Sequence, residues 1–238
     1  MIAIAPMAGY TDGKFCRRYE DLFDIVTLGG YNLDKYTLKA AKLITERGRK
    51  EFIIDLDKFN EYIINEIELI KKAKVNVNVR FLDIEEAYEK LEVIDTYADF
   101  IELNCHCRQK EITSLGLGQE LLKNRYLLYK FLNKMDRFDK VLLKIRLNYI
   151  PLNDLIDTLN YVRELFYGLH IDCFYPNKPY PDIESLKIIS EEFKDKFIIG
   201  NNSIDSLERA KEMLKYSDCI SIARALLKNK IDWVKLVR

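Results

Sequence analysis

The 238-residue sequence has no net charge, with 38 Lys and Arg against 38 Asp and Glu. Such a chain has no general electrostatic pull on a polyanion, so affinity for nucleic acid would have to come from a local patch. The one short basic run, Arg47-Gly48-Arg49-Lys50, reads most simply as a solvated turn. Long apolar runs are also missing. None approaches the roughly 18 residues needed to cross a bilayer, and no membrane partner is expected. The first strand-like run begins at Ile2, which leaves no room for the charged and apolar regions of a secretory signal, so a cytoplasmic location is expected. The five cysteines are an odd number without framework spacing, as suits a reducing compartment. Nine glycines, beside abundant Lys, Glu, Ile and Tyr, suit a thermophile. Linkers, low-complexity segments and short internal repeats are absent.

What is present is globular: 48% of residues are hydrophobic and 32% charged. Eight short apolar runs alternate with segments of helical period. They are Ile2–Met7, Ile25–Gly30, Val75–Phe81, Phe100–Asn104, Val141–Arg146, Gly168–Asp172, Phe197–Asn201 and Cys219–Arg224. Their Ile, Val and Leu content predicts strands buried on both faces. Glu51–Leu56 is a candidate ninth extended piece. Leu152, Leu155, Ile156, Leu159, Val162 and Phe166 mark one apolar helix face. Asp83, with Glu86 three residues on, predicts a capping box. Eight strand–helix units predict the α/β class, a closed (β/α)8 TIM barrel formed as a single domain over residues 1–238. An open doubly wound sheet is the rival, but Pro6-Met7-Ala8-Gly9 is not its G-x-G-x-x-G turn. After Arg224 there is room for one closing helix and nothing more.

A barrel places its active site at the C-terminal strand ends, and polar residues recur there. Lys144 and Arg146, two apart, point to one face of their strand. Two readings are open: Lys144 supplies positive charge to the reduced ring of a flavin, or it pairs with Glu102 or Asp172 in a structural ion pair. Gly200-Asn201-Asn202-Ser203 and Ala223-Arg224 end the last two strands, where barrels hold phosphate, and Ser203 is a candidate N-cap for the following helix. Cys105-His106-Cys107 offers soft ligands, with Cys173 or His170 able to complete a set, yet the spacing is poor for zinc and no metal is expected. A buried cysteine pair, or a single reactive Cys107, are the other readings.

Taken in order, these residues resemble the dihydrouridine synthase family and, more distantly, the dihydroorotate dehydrogenases. Ala5-Pro6-Met7-Ala8-Gly9-Tyr10-Thr11-Asp12, followed by Phe15 and Arg17, is similar to the family's opening motif. Ile101–Cys107 resembles its active-site strand and loop, and Gly116-Leu117-Gly118 with Leu121-Leu122 the glycine motif that follows. Lys144-Ile145-Arg146, His170, Ile199-Gly200-Asn201 and Ile222-Ala223-Arg224-Ala225 match its flavin and phosphate motifs. The resemblance implies a barrel holding FMN. Pro6, Met7 and Ala8 would meet the ring, with Lys144, His170 and Arg80 beside it. Gly200, Asn201, Asn202, Ala223 and Arg224 would hold the phosphate. Asn104 would orient the substrate, Arg146 and Arg108 would bind it, and Cys107 would act as general acid at a C=C bond. NADPH or NADH would reload the flavin. The implied substrate is a pyrimidine-like ring, in tRNA or free. Four features depart from the family pattern: His106 and Arg108 flank the cysteine where Gly and Pro are usual; Arg80 stands for Gln; Asn202 and Ala223 stand for Gly; and no helical RNA-binding domain is expected after the barrel. The rival functions are a flavin enzyme acting on a small free heterocycle, a non-catalytic binding barrel, and a metal hydrolase centred on Cys105, His106 and Cys107.

Overall fold

The structure is a computed structural model that describes residues 1–237. Its strands are β1 (Ile2–Ile4), β2 (Ile25–Asn32), β3 (Lys74–Arg80), β4 (Phe100–Cys105), β5 (Val141–Arg146), β6 (Gly168–Asp172), β7 (Phe197–Asn201) and β8 (Cys219–Ile222). They pair in parallel in sequence order, and β8 closes on β1. Around them run α1 (Gly13–Arg17), α2 (Lys35–Glu46), α3 (Phe59–Glu68), α4 (Ile84–Tyr97), α5 (Lys110–Thr113), α6 (Arg125–Lys134), α7 (Leu152–Tyr161), α8 (Ile183–Glu192), α9 (Leu207–Met213) and α10 (Arg224–Leu227). This is the (β/α)8 barrel expected from the sequence. Among the described residues no helix is long and apolar enough to cross a membrane.

Several local expectations need correction. β1 stops at Ile4, because the chain then turns, the Met7 carbonyl accepting from the Tyr10 and Thr11 N–H groups. β8 stops at Ile222, because Arg224 already begins α10. Glu51–Leu56 joins no strand; it is irregular up to a 3-10 turn at Leu56–Lys58. Asp83 does cap α4, accepting from the N–H groups of Glu85 and Glu86. Glu86 does not return the bond: its carboxylate accepts from the Lys35 N–H at 3.0 Å, while the Asp83 N–H goes to Asp34. The cap of α9 is Ser206, accepting from the Arg209 N–H, rather than Ser203. In the basic run, Arg47 is tied to Glu111 and Gln109, whereas Arg49 and Lys50 are exposed.

Alternation along the strands divides the apolar residues between two cores. The large one lies between the barrel and its helices. It takes Val75, Val77 and Val79 from β3, Cys105 from β4, and Leu155 and Leu159 from α7. A small one, formed by Ala3, Ile25, Phe100, Leu142, Ile199 and Cys219 with Phe197 packed on it, plugs the barrel interior at its N-terminal end. Above this plug the interior is polar, and that positions the site. Leu142 is fully buried in the plug. Leu142→Ala should lower the unfolding free energy by about 2–5 kcal/mol, read from the urea midpoint at neutral pH.

Candidate active site

Directly above the plug, the inward residues of six strands form one hydrogen-bonded layer. Glu102 on β4 is its centre and is fully buried. Its carboxylate accepts from the amides of Asn76 (3.1 Å) and Asn78 (2.7 Å) on β3 and lies 2.6 Å from His170 Nδ1 on β6. His170 Nε2 lies 3.0 Å from Lys144 Nζ on β5 and 2.6 Å from Ser221 Oγ on β8. Asn201 on β7 donates to the same Ser221 hydroxyl at 2.9 Å. Burial alone would raise the pKa of Glu102. The pull and hydrogen bond of His170, then the charge of Lys144 and the Asn78 amide, bring it down to about 2. Burial and the neighbouring Lys144 charge lower the pKa of His170, against the pull of Glu102. A neutral imidazole then donates from Nδ1 to Glu102 and accepts at Nε2. Lys144 forms no direct ion pair with Glu102 or Asp172 among the described residues: its hydrogen-bond partner is His170, and the two carboxylates act on it only through their charge.

One layer higher, Asp172 joins three strand-end loops. Its carboxylate accepts from Arg146 on β5 and from the Asn202 amide at 2.6 Å, and lies 2.7 Å from His106 Nε2. Arg146 also stacks over Phe174, 3.9 Å from the ring centroid. Burial drives the pKa of Asp172 up, but His106 and then Arg146 and Lys144 hold it well below the carboxylate range. His106, where the family usually has Gly, therefore links the β4 loop to the β7 loop.

Asn104 shapes the loop that carries Cys107. Its side-chain oxygen accepts from the N–H groups of His106 (3.2 Å) and Cys107 (2.8 Å), and its amide donates to Asn78 at 2.9 Å. It thereby holds the cysteine backbone. Gly118, at φ +61°, packs directly on this turn: a Cβ there would lie 2.2 Å from the Cys107 carbonyl oxygen, which accepts from Gln119 N–H at 3.0 Å. Cys107 is half-buried, while the other four cysteines are buried and their thiols are pushed up by burial. Cys105 lies in the outer core, His106 turns to Asp172, and Cys107 faces Arg80, so the three do not converge. Among the described residues no group of three His, Cys, Asp or Glu is placed to hold a metal ion.

Beside this loop opens a cavity of about 630 Å³ lined by Asn201, Asn202, Ser203, Ala223 and Arg224, with Arg108, Arg146, Lys178, Arg209, Lys228 and Lys230. Only Asp172 and Asp205 oppose these cations. Arg146 pairs with Asp172 and Arg209 with Asp205; Arg108, Lys178, Arg224, Lys228 and Lys230 have no ion pair among the described residues. Asn202 and Ser203 both adopt positive φ, at 100° and 52°, so Asn202 occupies a conformation suited to the glycine it replaces. Gly200 is not in the lining. A Cβ on it would meet the Met213 side chain of α9 at 2.6 Å, so this glycine serves the outer packing. Of the opening motif, the Met7 N–H is already bonded to Thr11 Oγ1 at 2.9 Å.

The sequence matches the dihydrouridine synthase family over residues 3–166, more than half of the chain. The chain belongs to that family. It is also 64% identical, over 237 residues, to an uncharacterized protein of Methanocaldococcus jannaschii, covering 98% of this chain and 92% of that one. Members of the dihydrouridine synthase family are in general FMN-dependent oxidoreductases that act on tRNA uridine.

Within this family member, sequence reasoning missed Ser221, Asn76, Asn78 and Glu51 as parts of the site, and it left Glu102 and Asp172 only as possible ion-pair partners. A signal was there: Val75-Asn76-Val77-Asn78-Val79-Arg80 alternates strictly, which in a barrel buried on both faces means a polar interior. For Glu102, a folded pKa of about 2 against an ordinary 4.5 means the folded state holds the carboxylate more tightly than the unfolded chain. That stability is complete above pH 4.5 and lost as the pH falls towards 2, amounting to about 3 kcal/mol. Glu102→Gln should remove a similar amount at pH 7 and flatten this acid limb, measured as unfolding free energy against pH.

Proposed function

We propose that this chain is an FMN-dependent oxidoreductase of dihydrouridine synthase type, with Cys107 as its proton donor. The observation that carries the reading is a cationic cavity whose lining includes Arg108, the residue next to the half-buried Cys107, together with a buried Lys144–His170–Glu102 layer inside the barrel. The donor set fits FMN. Arg224, Lys228, Lys230 and the backbone of Asn202, Ser203 and Ala223 would hold a phosphate. Lys144, kept in place by His170, would face the polar edge of the ring, with Pro6, Met7 and Ala8 on the opposite side of the mouth. The bound flavin would supply hydride exchange with one carbon of a C=C bond in a uracil-like ring, NADPH or NADH restoring its electrons.

Cys107 would hold the proton for the other carbon, so hydride and proton together saturate the bond. Asn104 would fix the cysteine backbone through its two N–H bonds. Arg146 and Arg108 would face the substrate. Arg108 and Lys178, the two unpaired cations of the cavity not assigned to the flavin phosphate, favour a substrate carrying phosphate, namely uridine within tRNA, over a free heterocycle. Extruding a base from folded RNA demands a grip on the surrounding backbone, and Arg108 and Lys178 would contribute to it. The five free cysteines suit the cytoplasm.

Purified protein should be yellow, release FMN on denaturation, and form dihydrouridine in tRNA when given NADPH or NADH. Cys107→Ala should keep its flavin and lose turnover by at least about 100-fold. Colourless protein that takes up no FMN on reconstitution would overturn the flavin reading. Turnover of free uracil or dihydroorotate without activity on tRNA would replace the RNA substrate with a small heterocycle.

A further inference from the structure

Arg80 ends β3 at the barrel mouth with 3% of its surface exposed. Its Nη2 donates to the Glu51 carboxylate and, at 3.3 Å, to the Gly30 carbonyl. Its Nη1 points at Cys107 Sγ, 3.7 Å away. Its Nε is buried without a hydrogen-bond partner. The Glu51 side chain is only 4% exposed, although it comes from an irregular segment. That segment is clamped from three sides. Gly9, at φ +72°, packs against it so closely that a Cβ would lie 2.8 Å from Glu51 N. Phe52 packs at a tilt against Tyr31 with centroids 4.8 Å apart, and the Asn32 amide donates to the Phe52 carbonyl at 3.3 Å.

The charged groups facing the Cys107 sulfur are few. β3 brings Arg80, and behind it stands Glu51. The turn packed beneath Cys107 brings the backbone of Gly118 and Gln119. Within its own loop, His106 is turned to Asp172 and Arg108 lines the cavity. A lone guanidinium at this distance would stabilise a thiolate, whereas a proton donor must keep its proton until the ring carbon takes it. A carboxylate on the far side of the same guanidinium offsets the charge and leaves the planar N–H fork in place to orient the sulfur. Burial works against the ionised form of Arg80, and Glu51 is the main group that holds it charged.

We propose that Glu51 is a positioning residue for Cys107 that acts through Arg80: it pins the guanidinium against the sulfur and offsets the charge that would draw off the thiol proton. This rests on the reading of Cys107 as the proton donor. It gives a function to Glu51, a residue outside the motifs that carry the family resemblance.

The test is the pH profile of Cys107 alkylation by iodoacetamide in the purified full chain, with the modified residue located by peptide mass spectrometry. The buried positions of the other four cysteines make the readout selective. Glu51→Gln should move the profile to lower pH and speed alkylation at pH 7 by about tenfold, because the cation is left uncompensated. Arg80→Gln should move it to higher pH and slow alkylation by about tenfold, because the carboxylate is left alone. The double variant should return close to the parent. Profiles of Glu51→Gln and Arg80→Gln that overlay the parent would overturn the proposal. If Glu51→Gln does not fold, Arg80→Gln and the double variant decide: an unshifted Arg80→Gln profile, or a double variant that stays shifted, refutes it. Failure of the proton-donor reading shows elsewhere, as undiminished turnover in Cys107→Ala.

Discussion

The site depends on one constraint, an ionised carboxylate kept inside a closed barrel. Glu102 is fully buried, so its charge is tolerable only because three strands bring donors to it: Asn76 and Asn78 from β3, His170 from β6, and Lys144 from β5 through that histidine. Removing any one partner leaves a buried charge or a buried donor unsatisfied, which costs several kcal/mol. The layer is therefore rigid for the same reason that it is polar. It fixes the tautomer of His170, and the imidazole fixes Lys144 directly beneath the mouth.

Rigidity below allows irregular chain above. The loops after β3, β4, β6 and β7 are tied together by short polar bonds rather than by apolar packing. Asp172 gathers Arg146, His106 and Asn202; Asn104 gathers the backbone of His106 and Cys107; Arg80 gathers Glu51, Gly30 and Cys107. Two of the chain's departures from the family pattern, His106 and Arg80, prove to be bonded members of these clusters. They carry the β4 loop where Gly and Gln stand in relatives. The third, Asn202, takes over a glycine-like backbone angle and adds a side chain that reaches Asp172.

Charge is also gathered locally at the mouth. A chain without net charge gathers seven cations and two anions around one cavity. Net charge describes the whole surface and says nothing of such local segregation, so the absence of an overall positive balance does not argue against an anionic ligand at this mouth.

The sequence by itself determined the barrel. Eight β-branched runs separated by helical periods have only a few ways to bury both faces, and β5, β6 and β7 begin and end where the apolar runs do. It also determined which strand ends bear polar groups, because every parallel strand in a barrel delivers its C-terminus to one rim. What tertiary structure alone decided was who meets whom across the barrel. Glu102 and His170 lie 68 positions apart, and Glu51 reaches Arg80 from a loop whose sequence resembled a strand. Those pairings depend on barrel closure and stagger and on where one irregular segment crosses the mouth, and no local period or spacing encodes them.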